Sequence, residues 1–254
     1  MEKWEREALF TYYDADGNYV FEQNLGVRLR GTSTRDGIQK DFSLIARSEY
    51  DGNDTIQYSL FSIPTDSLIL RHRDITQKEG FLSSLVSDRD LTTQEYQMVN
   101  LYLNGEFWGV YSLLTRVDEY FLSNRYGVDE SNIAFVKINH FAEGSDEAMQ
   151  YYQQLMTFIS SNDLSVDANY QKVCNMIDIQ SLIDWYVVNS YWNNIEANIF
   201  TMPLRTNRTC TMITSTGRSS GTCTANPLSS TIPGASTRCS ISITSTRSRT
   251  SITR

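Results

Sequence analysis

Asn104-Gly105 is the strongest single constraint on the fold of this chain. It sits between two apolar runs, residues 94–103 and 107–114. A two-residue type I′ turn needs φ > 0 at both positions, which Asn and Gly adopt at least cost. The spacing therefore predicts an antiparallel hairpin of core strands. A second hairpin is expected where residues 9–13 and 19–23 flank the turn of residues 14–18, Asp-Ala-Asp-Gly-Asn. That turn resembles a calcium loop only in passing, because an EF-hand requires Gly at its sixth position and Glu at its twelfth.

Alternating apolar residues predict further half-buried strands over residues 27–30 and 41–46. Residues 47–66 are polar and loop-like. A short buried run follows at 67–70, with Arg71 directly after it. Helices are expected over 79–86 and over 118–125, the latter ended by Gly127. A strand is expected over 133–138. Residues 147–160 form an amphipathic helix carrying Tyr151, Tyr152, Leu155, Phe158 and Ile159 at helical spacing. Asp178 can cap another helix with Ile179, Leu182, Ile183, Tyr186 and Tyr191 on one face. Both stripes read as core. Strands dominate the first half and helices the second, which implies an α+β fold with a sheet-rich N-terminal lobe and a helical C-terminal lobe.

Charge narrows the function classes. The net charge of −8 hides a split, since residues 205–254 hold seven Arg, no Lys and no acid. The first 204 residues carry fifteen basic against thirty acidic residues. An acidic body argues against nucleic acid as the main partner. Cys174 is the one cysteine outside the tail, where Cys210, Cys223 and Cys239 lie, so there is no disulfide framework. His72 and His140 cannot make a zinc site alone. No run of 18 apolar residues is present, so no membrane span is expected, and the residues after Met1 are not those of a signal peptide.

After about residue 204 the composition changes abruptly, and 24 of the last 50 residues are Ser or Thr. Such a segment buries too little apolar surface to offset chain entropy, so a disordered tail is expected over 205–254, beside a domain at 1–204. It reads as a mucin-like linker or as the product of a shifted reading frame. Taken one base earlier, Thr and Ser codons become codons for Tyr, His, Asn, Asp, Phe, Leu, Ile and Val, which is globular composition. At Met212-Ile213 that frame must read GAT, an aspartate.

The stretch from Gly26 to Ala46 carries the most chemistry. Between its two strands lie Gly31 and Gly37, the hydroxyls of Thr32, Ser33 and Thr34, and the cations Arg30, Arg35 and Lys40. Small residues let a backbone approach a ligand, and N–H groups with fixed cations suit a phosphate. The spacing is neither Walker A nor G-x-G-x-x-G, and an ordinary hairpin with a solvated basic loop explains the same residues.

The words here, R-x-R-G-x-S-x-R followed by Q-K-x-F, resemble the opening of the spore-coat protein kinase family, the CotH family. The order continues through residues 46–50 (Ala-Arg-Ser-Glu-Tyr), 101–105 (Leu-Tyr-Leu-Asn-Gly), 108–111 (Trp-Gly-Val-Tyr) and 126–129 (Tyr-Gly-Val-Asp), and the resemblance covers about residues 4–198. Trp4-Glu5-Arg6 falls inside the family domain, so a truncated start is expected.

The resemblance implies an atypical protein kinase that uses ATP and Mg²⁺ to phosphorylate Ser or Thr of secreted or coat proteins, outside the cell or on a cell or spore surface. It implies phosphate-side roles for Arg30, Ser33, Arg35 and Lys40. Arg71 either meets the nucleotide or pairs with a nearby acid. Asn194-Ile-Glu196-Ala-Asn198 matches the family's Asn-x-Asp word, which makes Glu196 the catalytic candidate and Asn198 the metal candidate. Three departures stand out. Glu196 replaces Asp, Thr115 stands where the family often has Glu, and no Asp or Glu follows Glu196. Weak or absent phosphotransfer is therefore expected of the polypeptide as written, because Mg²⁺ lacks a late anionic anchor. Two non-enzymatic readings stand beside it: a binding module whose basic loop grips an anionic partner on a cell surface, and a structural coat component.

Overall fold

A computed structural model of the chain describes residues 4–31, 37–72, 85–86, 88–89, 91–137, 140–143, 146–191, 204–205, 210–213 and 239–245. The fold is mixed α+β, as expected, and divides into two compact units. The first holds strands β1 (Glu5–Tyr13), β2 (Tyr19–Arg30), β3 (Asp41–Ile45), β4 (Ser67–Arg71), β5 (Tyr96–Leu103), β6 (Glu106–Thr115) and β11 (Cys239–Ser245), with the short helix α1 (Ser48–Asp51). The second holds helices α2 (Glu119–Tyr126), α3 (Asp146–Ser161), α4 (Asp167–Met176) and α5 (Ile179–Tyr191). It also holds strands β7 (Ile133–Lys137), β8 (His140–Glu143), β9 (Leu204–Arg205) and β10 (Cys210–Ile213).

The first unit is a closed barrel in the order β1-β11-β5-β6-β4-β3-β2. Asn104 and Gly105 sit at φ 51° and 86°, the left-handed pair that a type I′ turn requires, and β5 pairs antiparallel with β6. Asp14 builds the first hairpin turn, its Oδ1 accepting from the backbone N–H of Asp16 (2.9 Å) and Asn18 (2.8 Å). The two runs expected at 19–23 and 27–30 are one continuous strand, β2.

Alternation sends Phe10, Leu25, Leu44, Leu68, Leu70, Leu101, Tyr111 and Leu113 into the barrel core. The intervening residues of β2, β3, β4 and β6 lie on the outer face. Closure removes the exposed sheet edges that would otherwise invite pairing with other chains.

Closure depends on a segment expected to be disordered. Residues 239–245 form β11, antiparallel to β1 (Phe10↔Ile243, Tyr12↔Ile241) and parallel to β5 (Leu101↔Ile241). Ile241 and Ile243 are buried and alternate with Ser242 and Thr244. That is a period-2 pattern inside a Ser/Thr-rich background, too short to stand out from composition.

In the second unit β10 runs parallel to β7, and the sheet order is β8-β7-β10-β9. Asp118 caps α2 by accepting from Phe121 N–H (3.0 Å), and Asp178 accepts from Ser181 N–H (3.1 Å) at the start of α5. Tyr152 and Leu155 of α3 are buried with Val173 and Ile177, so that stripe is core as expected. The stripe on α5 is core only in part: Ile179 and Leu182 pack against that same cluster. Ser181, Trp185 and Asn189 are buried there, whereas Ile183, Tyr186 and Tyr191 are exposed. Trp185, packed with Val86 and Leu91, sets which face turns inward. Helix α4 had no counterpart among the expected elements, and the helix expected over 79–86 falls mostly outside the described residues.

Candidate anion site on the outer face of the barrel

Strand register places four polar residues in one row. Arg30 of β2 pairs with Asp41 of β3. Phe42 pairs with Leu70, which puts Asp41 opposite Arg71 one step further along. Arg71 pairs with Ser112 of β6. Cross-strand partners share a face. Phe42, Leu70 and Leu113 point into the barrel, so the row Arg30-Asp41-Arg71-Ser112 lies outside it.

These groups are nonetheless well covered. Asp41, Arg71 and Ser112 are buried, and the Arg30 Nε is buried with no hydrogen-bond partner among the described residues. Asp41 Oδ1 accepts the His72 backbone N–H (2.8 Å), which fixes the carboxylate at the end of β4. Burial pulls the Arg30 guanidinium down to about 10. The positive charges of Arg71 and Arg116 add to the fall, and Asp41 opposes it. Arg30 thus sits in a low-dielectric neighbourhood where it feels the charges of Arg71, Arg116 and Asp41. An arginine cluster of this kind is a fixed positive field matched to phosphate or carboxylate oxygens.

Elsewhere on the barrel Arg28 and Arg47 are neutralised. Glu5 takes Arg28 and Arg47 as ion-pair partners and accepts from the Tyr50 hydroxyl (2.9 Å). Arg30, two residues along β2 on the same face as Arg28, feels one carboxylate among the described residues, Asp41.

One end of the β2–β3 connection is tied to β6. Gln39 Nε2 donates to the Trp108 carbonyl (2.6 Å), and the Tyr111 hydroxyl donates to the Lys40 carbonyl (3.0 Å). Burial, with Asp41 nearby, pushes the Tyr111 hydroxyl up to about 12, so it stays a neutral donor at physiological pH. The His72 ring lies 5.2 Å from the Tyr111 ring, centroid to centroid.

Of the residues expected at the site, Arg30 and Arg71 are brought together. Lys40 lies at the start of β3 with its backbone held by Tyr111. Ser33, Arg35, Glu196 and Asn198 lie outside the described residues. Asp41 and Arg116 were not among the expected site residues. Asp41 looked like the first residue of a strand and Arg116 like the last polar residue after one. Only the period-2 parity shared with Arg71 and Ser112 could have signalled them. Thr115 is fully buried, its hydroxyl accepting the Glu95 backbone N–H (3.0 Å).

The arginine row carries the kind of fixed positive charge that phosphate oxygens pair with. A divalent ion is a different matter, because no group of three or more His, Cys, Asp or Glu side chains among the described residues could hold one. No helix among those residues is long and apolar enough to cross a membrane.

A family model described as CotH kinase protein matches residues 27–213. No curated protein matches the chain.

Proposed function

The chain belongs to the CotH kinase family, and from that premise we propose that it is an atypical protein kinase-like protein. Its reaction would move the γ-phosphate of ATP to Ser or Thr of secreted or coat proteins, at a cell or spore surface. Family membership implies a kinase-like function, ATP and a divalent metal. The observation that carries the finer reading is the buried row Arg30-Asp41-Arg71, three charged groups with a positive excess in register on neighbouring strands.

Phosphoryl transfer asks little covalent chemistry of the protein and a great deal of positioning and charge neutralisation. Arg30 and Arg71, with Ser33, Arg35 and Lys40 of the adjoining loop, hold the phosphates in this reading. Asp41 spaces the two arginines and limits their mutual repulsion. In this reading Glu196, by its match to the family's Asn-x-Asp word, is the catalytic carboxylate, and Asn198 a metal ligand. The sheet-bearing and helix-bearing units take the parts of the two kinase lobes. Glu in place of Asp shifts the carboxylate by one methylene, and a misplacement of about 1 Å costs roughly a hundredfold in rate. With no acid after Glu196, phosphotransfer by this polypeptide is weak or absent.

A second reading, a non-catalytic anion-binding module, is favoured by the contrast between the gathered arginines and the lack of a metal-ligand group among the described residues. A melting-temperature assay separates the two. A rise with Mg-ATP that is lost in Arg71→Ala supports the kinase-like reading. A rise only with polyanions, indifferent to Mg²⁺ and adenine, supports the module. Radiolabelled ATP with casein-like and coat-type acceptors measures what activity survives, and robust Mg²⁺-dependent labelling would contradict the expected weakness.

A further inference from the structure

We infer that the Asn104-Gly105 turn is a site of spontaneous chemical modification, deamidation through a cyclic imide to isoaspartate, and that strand β11 holds the reaction off while the barrel is closed. The inference is independent of the nucleotide reading and needs no reactant but water.

Asn104-Gly105 is the one Asn-Gly pair in the sequence. Both residues are exposed. Beyond its chain neighbours, no atom lies within 4 Å of where a Gly105 Cβ would stand, so nothing crowds its backbone nitrogen. The hydrogen bond that closes such a turn uses the N–H of residue 106, not that of Gly105.

In the reaction the Gly105 nitrogen attacks Asn104 Cγ. The new N–Cγ bond closes a five-membered ring, the bond from Cγ to the side-chain nitrogen breaks, and ammonia leaves with the Gly105 amide proton. Water then opens the imide. Addition at Cγ gives aspartate. Addition at the main-chain carbonyl of residue 104 gives isoaspartate, whose backbone runs through Cβ and Cγ and is longer by one methylene.

Ring closure requires the Gly105 nitrogen to eclipse the Asn104 Cβ about the Cα–C bond. A left-handed residue holds the two nearly anti, and Asn104 is left-handed at φ 51°. Strand β11 fixes it there. The Asn104 backbone N–H donates to the Ile243 carbonyl (2.9 Å), and Asn104 Oδ1 accepts the Ser245 backbone N–H (3.0 Å). A donor on Oδ1 also polarises Cγ, which favours attack. Position outweighs polarisation, because a nucleophile on the far side of the bond does not reach Cγ. The isoaspartate product takes the turn out of type I′ geometry and moves both groups off their β11 partners. An opening that reacts therefore weakens every later closure.

The test follows Asn104 by mass spectrometry of the peptide that contains it, at mildly alkaline pH, in native wild type, guanidinium-unfolded wild type and native Ser245→Pro. Proline deletes the donor to Asn104, and its φ suits a strand end. Exchange of ammonia for water changes the mass, whereas isomerisation at Asp16-Gly17, Asp36-Gly37 or Asp51-Gly52 does not. Unfolded wild type is expected to react at least about tenfold faster than native wild type, since attack in the native chain waits on local opening. Ser245→Pro should react roughly three- to tenfold faster than native wild type, the change in released population that loss of one hydrogen bond gives.

Native wild type that reacts as fast as the unfolded chain overturns the inference, and so does Ser245→Pro at the wild-type rate. If Ser245→Pro fails to fold, wild type in rising sub-denaturing urea decides. Deamidation that climbs with hydrogen exchange of the Ser245 amide supports the latch. Deamidation that stays flat while that amide opens overturns it.

Discussion

The Gln39 carboxamide occupies the space above the bare Cα of Gly109: a Cβ built there would stand 2.5 Å from Gln39 Nε2. Gly109 also has φ +146°, a conformation that side chains rarely adopt, and it follows the register shift near Leu101 and Tyr102 in the β5–β6 ladder. The bulge turns the Trp108 carbonyl toward Gln39 and so ties the β2–β3 connection to β6.

Gly109→Ala is therefore expected to destabilise the chain by about 1–3 kcal/mol, from backbone strain and the collision together. In a Gln39→Ala background the collision disappears and only the strain remains, so the same change should cost less. Urea denaturation of the two single variants and the double variant measures the coupling. Strict additivity would show that Gln39 does not sit over Gly109.

The Glu5 cluster makes stability depend on acid. Burial works to raise the Glu5 carboxyl, but hydrogen bonds from Arg47 and Tyr50 and the charges of Arg47 and Arg28 outweigh it and hold it below its ordinary value. A depressed folded-state value means the contribution is fully present above the unfolded carboxyl value of about 4.3 and is lost as pH falls through the lower folded value. Glu5→Gln should be less stable than wild type at pH 6, with the gap closing below about pH 4. Denaturation at a series of pH values checks this, and a gap of constant size from pH 6 to pH 3 would remove Glu5 from the account.

Strand β11 gives the sharpest test of the barrel. Ile241 is fully buried between β1 and β5. Ile241→Ala should cost about 2–5 kcal/mol, the range for deleting a buried Ile side chain. Thr244→Ala, at an exposed position of the same strand, should be nearly silent. If both are silent, residues 239–245 do not close the barrel.

The reading-frame proposal is tested at the gene. Read one base earlier, the codons for residues 209–214 must give Leu, Met or Val, then Tyr or His, then Tyr, His, Asn or Asp, then Asp, then Tyr, His or Asn. Such a peptide supplies the late aspartate that the written chain lacks. DNA across codons 205–224 shows whether that frame stays open and globular in composition; a stop codon inside it ends the proposal.

Much of the fold was legible one element at a time. Asn104-Gly105 specified its hairpin because few residues tolerate left-handed φ. Asp118 and Asp178 marked helix starts because a short side chain can accept an N–H of the first turn. The α3 stripe read correctly because its 3.6 period is long enough to register. The α5 stripe misled in part: Ile179 and Leu182 do pack inward, but the helix's apolar residues are spread around it and packing on Val86 and Leu91 made Trp185 an inward side chain too. The cations at the β2–β3 connection pointed to an anion, but not to the partners of Arg30.

By itself the sequence determined the local conformations, the acidic body and the family, since each depends on residues close together in the chain or in fixed order. Only the tertiary structure decided that the barrel closes through residues 239–245, and that Arg30, Asp41, Arg71 and Ser112 fall in register on one face. Strand register and burial relate residues that lie far apart in the chain. A one-residue slip would have sent the same arginines to the other side.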